Sequence, residues 1–306
     1  MQNFTLQDEQ IDLPRGAYFK SGRKYVSWQG RPVIGLSQND YRAYLFPVYT
    51  PKGFSVTTEA PCDHPHHNSV WVGADHVNCL LPFAKDQYEE ATYNFYINET
   101  FQGRAAGRIV SESIEYEEVT EDCLRIVQSL LWRGPVEWGA PHGRTIAAET
   151  RTITIQPDET SYTIDIRSQL RPTDWNLRIG PTRHAYFGIR LTEPLRPSFG
   201  AALVDSAGRR GAQDVSGEVS DWIHFSGEVA AGHQAGVGLL VHPKLAEFPW
   251  HVHEWGTVDV NPLRNEAQKL TTGEQLDVAI RIIVHDGPAE TDAIAEQHRE
   301  YLDSIV

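Results

Sequence analysis

The sequence predicts an all-β fold, a large β-sandwich followed by one C-terminal helix. Most periodic segments alternate apolar and polar residues with a period of two, which is typical of strands with one face on a core. These segments are rich in β-branched residues and end at turn residues. The 24 glycines and 18 prolines are spread along the chain and not massed in one linker. Residues 1–306 are therefore expected to form a single domain.

The clearest strand patterns lie in the middle and the last third of the chain. In "CLRIVQSLLW", residues 123–132, Leu124, Ile126 and Leu130 share one face. In residues 150–170, the turn "PDET" separates two strands. Further β-branched runs closed by turn residues occupy 236–243 and 276–287.

The C-terminal segment is the exception to this pattern. Between residues 291 and 306, apolar and aromatic side chains recur at helical spacing, which predicts an amphipathic helix packed on a sheet. The residues of its apolar face are Ile294, His298, Tyr301, Leu302 and Ile305.

Composition and charge limit the partners. The formal net charge is −14 and no block of lysine and arginine occurs, so nucleic acid is not an expected partner. No run approaches the roughly 20 apolar residues that span a bilayer, and residues 1–16 are polar and acidic, unlike a signal peptide. A cytoplasmic location is expected, without membrane contact. The sequence leaves open whether the protein forms oligomers.

The most unusual stretch is "DHPHHNSVWVGADHVN", residues 63–78, which holds four of the thirteen histidines. Pro65 predicts extended backbone before it, with His64 and His66 on one side and His67 on the other. An indole beside imidazoles and carboxylates is typical of sugar sites, because its face packs on C–H groups while polar side chains bind hydroxyls. The stretch supplies one candidate catalytic residue, His67, and six candidate substrate-binding residues: Asp63, His64, His66, Trp71, His76 and Asn78.

A second candidate segment is "RIGPTRHAYFGIRL", residues 178–191. Read as one strand, it places His184 and Tyr186 on the same face, opposite an apolar face. There, the imidazole can act as acid or base, and the tyrosine can donate a hydrogen bond to the same molecule. Arg183 is a further candidate substrate contact. A solvated strand face is the structural alternative.

A third candidate segment is "FPWHVHEWGTVDVNP", residues 248–262. In extended geometry His251 and His253 share a face, and Glu254 lies on the opposite one. The His-x-His spacing can bind zinc or copper if a third ligand comes from elsewhere, and it can also line a carbohydrate groove. His251, His253 and Asn261 are candidate substrate contacts, with Glu254 as a candidate base.

Residues 142–155 place a carboxylate and a guanidinium in an otherwise apolar row. Glu149 and Arg151 share one strand face. Such a pair is commonly a structural ion pair. In a cleft, Glu149 would instead be a candidate general base that Arg151 keeps ionised, with Arg151 beside the substrate.

Five segments together resemble a known family. They are "DHPHHNSVWVGADHVN", "AAETRTITI", "GPTRHAYFGIR", "WHVHEWGTVDVNP" and "IRIIVHDG". Their order along the chain is similar to that in the uncharacterised proteins labelled PmoA-like or DUF6807, over roughly residues 60–290. That family label implies no activity.

A second resemblance concerns "PTRHAYFGIRL", which is similar to a strand of galactose mutarotase-like proteins. It implies a β-supersandwich fold and assigns the acid of a sugar reaction to His184. It also implies that the segment from Asp63 to His67 supplies another catalytic histidine. These proteins use a late carboxylate base, for which Glu254 is the nearest match. Cys79 and His253 depart from the pattern, which leaves substrate preference open.

The leading hypothesis is an enzyme acting on a sugar or glycoside by proton transfer, such as a mutarotase or epimerase. His184 would be the acid, and Glu149 or Glu254 the base. One alternative is a lyase or hydrolase acting on an oxidised glycoside with a divalent metal ion as cofactor, held by His64, His66, His251 or His253. Another alternative is a carbohydrate-binding protein without catalysis.

Overall fold

The computed structural model describes residues 3–9, 21–85, 87–288 and 291–304. Within these residues the chain forms 21 strands and two α-helices, α1 (Gly211–Val215) and α2 (Thr291–Asp303). Short 3₁₀ turns span Glu193–Leu195, Pro197–Phe199 and Pro243–Leu245. The strands are β1 (Phe4–Glu9), β2 (Ser21–Trp28), β3 (Arg31–Asn39), β4 (Ala43–Val48), β5 (Val70–Ala74), β6 (Val77–Ala84), β7 (Gln87–Asn94), β8 (Ala105–Ala106), β9 (Arg108–Thr120), β10 (Cys123–Arg133), β11 (Thr145–Pro157), β12 (Ser161–Pro172), β13 (Asn176–Ile179), β14 (Ala185–Arg190), β15 (Ala202–Asp205), β16 (Trp222–Ala230), β17 (His233–Val241), β18 (Trp250–Val252), β19 (Thr257–Val260), β20 (Gln268–Leu270) and β21 (Leu276–Asp286).

The strands form three sheets. The first sheet has the order β1-β2-β3-β4-β5-β14-β19-β18, and the second has the order β15-β16-β17-β21-β12-β11-β10-β9. The third, smaller sheet has the order β20-β13-β6-β7-β8. Neighbouring strands of the first two sheets run antiparallel. This pattern confirms the predicted all-β sandwich.

The first and second sheets pack face to face around the main core. Side chains on the inner faces alternate with outward ones, so that Leu124, Ile126 and Leu130 of β10 are all buried, as predicted. Polar contacts also cross between the sheets. The Tyr186 hydroxyl of β14 lies 2.9 Å from the hydroxyl of Ser168 in β12.

Helix α2 packs on the outer face of the second sheet, which confirms the predicted amphipathic helix. Ile294 and Tyr301 join a small apolar cluster with Trp222, Leu240 and Ile283. The predicted contribution of Ile305 lies outside the described residues. In the described part of the chain, neither helix has the length and apolar character needed to span a membrane.

Glu149 and Arg151 form an ion pair inside the sandwich. Arg151 donates to both carboxylate oxygens of Glu149, at 2.8 and 3.1 Å, and to the carbonyl of Ala43 in the first sheet at 3.1 Å. The Trp132 indole and the Ser168 hydroxyl each donate to Glu149 at 2.9 Å. Because protein donors occupy both oxygens, Glu149 is placed as a structural residue and not as a base in a cleft.

Replacing Glu149 by Gln is expected to destabilise the protein strongly. The substitution leaves the buried Arg151 guanidinium without its counter-charge, which typically costs about 3–5 kcal/mol. Urea denaturation measures the change. Glu159→Gln is the matched control, because Glu159 pairs with Arg31 at 3.0 Å on the surface, where such pairs contribute about 0–1 kcal/mol. Equal losses in the two variants would contradict a structural role for Glu149.

Candidate functional site

A pocket of about 370 Å³ lies on the outward face of the first sheet. Its residues come from the loop before β5, the loop after β7, the segment before β14, and the region of β18 and β19. The three histidine-bearing segments singled out in the sequence therefore converge in space. The lining comprises His64, His66, His67, Tyr96, Ile97, Phe101, Arg183, His184, His251, His253, Trp255, Thr257, Asp259 and Arg264.

Strand register builds the floor of the pocket. Trp71, Gly188, Asp259 and His251 occupy one cross-strand row over β5, β14, β19 and β18. A Cβ atom at Gly188 would overlap the Trp71 ring. Glycine is required at this position because the indole lies directly over the strand.

Five rings stack in a continuous column along the pocket. Consecutive ring centroids lie 5.1, 4.7, 6.0 and 4.0 Å apart, and consecutive ring planes differ by at most 14°. In order, the rings are Trp71, His67, His64, Trp255 and His253.

The predicted separation of His64 and His67 onto opposite sides is wrong. Residues 61–67 form successive turns, with His64 N–H donating to Pro61 O and His67 N–H to His64 O. A turn does not follow the two-residue alternation of a strand, so both rings reach the same pocket. His66 also joins them, packing edge-on to His67 at 4.6 Å.

His184 is held between a buried aspartate and an aromatic ring. Its Nδ1 lies 3.7 Å from Oδ2 of Asp75, and its ring stacks on Tyr96 at 4.9 Å. Arg183 Nε donates to His184 Nε2 at 3.1 Å. Since an arginine can only donate, Nε2 carries the lone pair, and the proton of the neutral imidazole lies on Nδ1, toward Asp75.

Asp75 itself is fully buried and ionised. Burial acts to raise the pKa of Asp75, but the contact with His184 and the hydrogen bonds from Arg104, at 2.7 and 2.9 Å, lower it overall. The His76 backbone N–H also donates to this carboxylate at 2.8 Å. An ionised carboxylate behind His184 stabilises the imidazolium that forms whenever His184 accepts a proton.

His67 is fixed as a neutral imidazole. Burial, with a smaller contribution from the neighbouring His66, lowers the pKa of His67 to about 2. Its Nδ1 faces Arg190 Nη1 at 3.5 Å and Thr257 Oγ1 at 3.3 Å, and its Nε2 lies 2.9 Å from the Tyr96 hydroxyl. Because the arginine can only donate, Nε2–H donates to Tyr96. The hydroxyl proton of Tyr96 is then available to a molecule in the pocket.

Asp259 is the carboxyl group of the pocket. Burial raises the pKa of Asp259 well above its usual range, and Arg264 opposes this only in part. Within the described residues, its buried Oδ1 has no hydrogen-bond partner. Burial also lowers the pKa of the cross-strand neighbour His251 to about 4. A carboxyl group that favours its protonated form thus lies beside a neutral imidazole.

A family model matches residues 21–299 of the chain. The protein belongs to the DUF6807 family, a family of unknown function. This confirms the DUF6807 part of the predicted family membership. No curated protein matches this DUF6807 chain.

Several solved structures are similar to the DUF6807 protein. A galactose mutarotase-like protein from Lactobacillus casei has a TM-score of 0.38 and 8% identity, covering 83% of this chain and 97% of its own. A galactose mutarotase related enzyme from Lactobacillus acidophilus has a TM-score of 0.33 and 9% identity, covering 83% and 95%. A GH36 α-galactosidase from Geobacillus stearothermophilus has a TM-score of 0.30 and 12% identity, covering 78% and 29%.

Two predicted residues belong to the walls around the pocket without lining it. Trp71 is buried beneath His67, as the base of the ring column. Asp63 accepts from Arg190 at 2.6 Å and contacts His64 at 3.0 Å, which ties the histidine loop to β14. Both residues act on the pocket through the histidines that they contact.

Other predicted substrate contacts lie away from the pocket. Tyr186 is buried in the sandwich, where its hydroxyl lies 2.9 Å from that of Ser168, and His184 lies before the start of β14, so the two side chains do not share a strand face. Asn78 lies in the third sheet and accepts from Thr92 at 2.6 Å. These placements correct the predicted substrate-binding roles of Tyr186 and Asn78, and that of Arg151, which is buried with Glu149.

Three further predicted residues flank the site. Asn261 donates to the carbonyl of Thr182 at 2.7 Å and so supports the segment that carries His184. His76 lies 3.5 Å from Asp75, outside the pocket lining. Glu254 is exposed in the turn between β18 and β19, so the structure does not support its predicted role as base.

The lining also contains residues that the sequence did not single out. Tyr96 and Phe101 come from the loop after β7, which carries no histidine motif, and Arg264 follows β19. For Asp259 a signal existed. In "TVDV" the aspartate alternates with Val258 and Val260, both of which are buried.

The donors for a metal ion are not assembled as the alternative hypothesis expected. Among residues 3–9, 21–85, 87–288 and 291–304, no group of three or more His, Cys, Asp or Glu side chains is placed to hold one. The His251 and His253 rings, predicted as a chelating pair, instead pack edge to face at 4.4 Å.

Stability is expected to fall as the pH falls from about 6.5 to about 4. In this window, the unfolded chain takes up protons on its imidazoles, while the folded chain keeps His66, His67 and His251 neutral, with pKa values lowered mainly by burial to about 3, 2 and 4. Replacing His67 by Gln should flatten the slope of unfolding free energy against pH by about 1.4 kcal/mol per pH unit.

Urea denaturation at a series of pH values measures this slope. The slope remains a valid readout even if His67→Gln lowers stability at every pH through lost packing. His142→Gln is the control, because His142 is exposed, and its slope should match that of the unchanged protein. An unchanged slope in His67→Gln would show that the His67 imidazole titrates alike in both states.

Proposed function

We propose that this protein is a carbohydrate-active enzyme that transfers protons to and from a sugar ring, as in mutarotation or epimerisation. One observation carries the proposal. His184, with the ionised Asp75 behind it, and Asp259, with its raised pKa, line the same pocket. A proton acceptor and a proton donor near neutral pH are what such reactions require.

The remaining lining fits a sugar. The Phe101 ring offers apolar surface for C–H groups, and Trp255, whose faces stack on His64 and His253, remains 38% exposed beside it. The hydroxyls of Tyr96 and Thr257 offer hydrogen bonds to sugar hydroxyls. The volume of about 370 Å³ lies near the lower end of the ~300–1,000 Å³ range for small-molecule sites.

Mutarotation shows how the two groups would cooperate. His184 Nε2 exchanges its hydrogen bond from Arg183 for one from the anomeric hydroxyl and accepts the proton of that hydroxyl, while the Asp259 carboxyl donates a proton to the ring oxygen. The bond from the anomeric carbon to the ring oxygen breaks, and a carbonyl forms at that carbon. Rotation of the carbonyl and reversal of both transfers close the ring as the other anomer. No oxidant or reductant is consumed.

This assignment keeps His184 from the sequence hypothesis and changes its partner. Glu149 is enclosed by donors in the sandwich, and Glu254 lies in an exposed turn. Asp259 is the carboxyl group that lines the pocket together with His184. When the ring opens, His184 gains a proton and Asp259 loses one, and ring closure reverses both transfers. His184 therefore acts as base in the first half-reaction and as acid in the second.

Replacing either group should abolish most turnover while leaving sugar binding largely intact. His184→Asn and Asp259→Asn are each expected to lower the catalysed rate of anomer exchange about 100-fold or more, since a positioned acid or base contributes about 10²–10⁴-fold. Exchange NMR on a panel of aldoses measures the rate, and calorimetric titration measures affinity.

Glu254→Gln is the matched control for this experiment, because its carboxylate is exposed outside the pocket, and it should keep the full rate. If His184→Asn instead weakens affinity and no aldose shows accelerated exchange, the protein binds carbohydrate without transforming it. Full activity in both pocket variants would show that His184 and Asp259 transfer no proton.

A further inference from the structure

We propose that the sugar bound in this pocket carries an anionic group, held by Arg183 and Arg264. The inference rests on the proposed function and narrows its substrate class. It starts from a difference among the arginines of the site. Some have oxygen partners among the described residues, while the two that line the pocket have no oxygen partner there.

The arginines behind the pocket are bonded to protein oxygens. Arg104 holds both oxygens of Asp75, and Arg190 donates to Asp63 at 2.6 Å and to Thr257 at 2.9 Å. Arg42 donates to Asn98 at 2.8 Å, although its Nε and Nη1, like the Nε of Arg190, are buried without a hydrogen-bond partner in the described residues. Their guanidinium groups serve the architecture of the site.

The two lining arginines differ. Arg183 donates one hydrogen bond, from Nε to His184. In the described part of the chain, neither of its terminal nitrogens contacts a protein oxygen. Arg264 makes no ion pair there, and its Nη1 is buried without a hydrogen-bond partner. Buried donors are nearly always satisfied in folded proteins, so the buried Nη1 of Arg264 points to a group that the bound molecule supplies, and the exposed Arg183 lines the same pocket beside it.

An oxyanion is the chemical group that fits these nitrogens. The guanidinium fork matches the two oxygens of a carboxylate or phosphate, and hydrogen bonds between charged groups are about twice as strong as neutral ones. A neutral sugar hydroxyl would satisfy the donors but leave the charge of Arg264 without a counter-charge.

No other charge in the pocket competes for the arginines. Asp259 is the one acidic side chain of the lining, and burial favours its neutral form. Burial keeps the lining imidazoles His66, His67 and His251 neutral as well, so they add no positive charge. On a chain of net charge −14, the pocket is therefore a local positive site that attracts an anion.

Two sugar classes supply such a group, uronic acids with a carboxylate and sugar phosphates with a phosphate ester. Calorimetric titration with matched ligands separates them: D-glucose, D-glucuronate and D-glucose 6-phosphate, and D-galactose with D-galacturonate. We expect one anionic class to bind at least about tenfold tighter than its neutral parent. This preference should shrink between about 20 and 300 mM NaCl, because salt screens the attraction.

Arg264→Gln should weaken the anionic sugar at least tenfold more than the neutral one. Arg264→Lys keeps the charge and should retain part of the preference, which keeps the test valid if the glutamine variant fails to fold. Arg31→Gln is the control, because Arg31 pairs with Glu159 away from the pocket. It should leave every affinity unchanged.

Three results would overturn the inference. Equal affinity for neutral and anionic sugars would do so while leaving catalysed anomer exchange, and hence the proposed function, intact. Equal weakening of both classes in Arg264→Gln would show a contact without charge selectivity. Inorganic phosphate binding as tightly as the sugar phosphate would show an anion site unrelated to sugar. Selective binding of an anionic sugar without anomer exchange would instead contradict the proposed function alone.

Discussion

The pocket depends on the alternation of side chains along four neighbouring strands of the first sheet. Residues such as Val258 point into the sandwich core, so the residue that follows, Asp259, faces outward. Strand register then places His251 on one side of Asp259 and Gly188 on the other, where the Trp71 ring fills the space above the glycine. The ring column and the acidic group are thus supported by the same hydrogen-bonded sheet, which fixes their relative positions.

Burial acts to raise the pKa of both aspartates of the site. The partners of each carboxyl group decide whether its pKa ends above or below the usual value. Asp75 receives the two hydrogen bonds of Arg104 and lies beside His184, so its pKa falls. Asp259 has no ion pair within the described residues, and Arg264 offsets the effect of burial only in part, so the pKa of Asp259 rises. One ionised and one neutral carboxyl group in a single site is the arrangement that separates acid from base.

The sandwich interior contains a polar network that resembles a catalytic site in sequence but serves stability. Glu149 and Arg151 interrupt an apolar strand row, as Asp259 does in its own strand. The difference lies in what covers each face. The first sheet closes over Glu149, whereas the loop that carries Tyr96 leaves open space above Asp259. A carboxylate in a strand therefore reveals its role only when the neighbouring layer is known.

The sequence by itself determined the all-β class, the strands near residues 123–132 and 150–170, the C-terminal helix, and the three histidine-bearing segments that meet at the pocket. These features follow from local periodicity, which records which side of each strand or helix is buried. Tertiary structure alone decided that Asp259 is the carboxyl group of the pocket, that Tyr96 and Arg264 join it, and that Tyr186 turns into the core. Turns such as residues 61–67 and 180–184 follow no alternation, and the pairing of strands far apart in sequence selects each residue's neighbours.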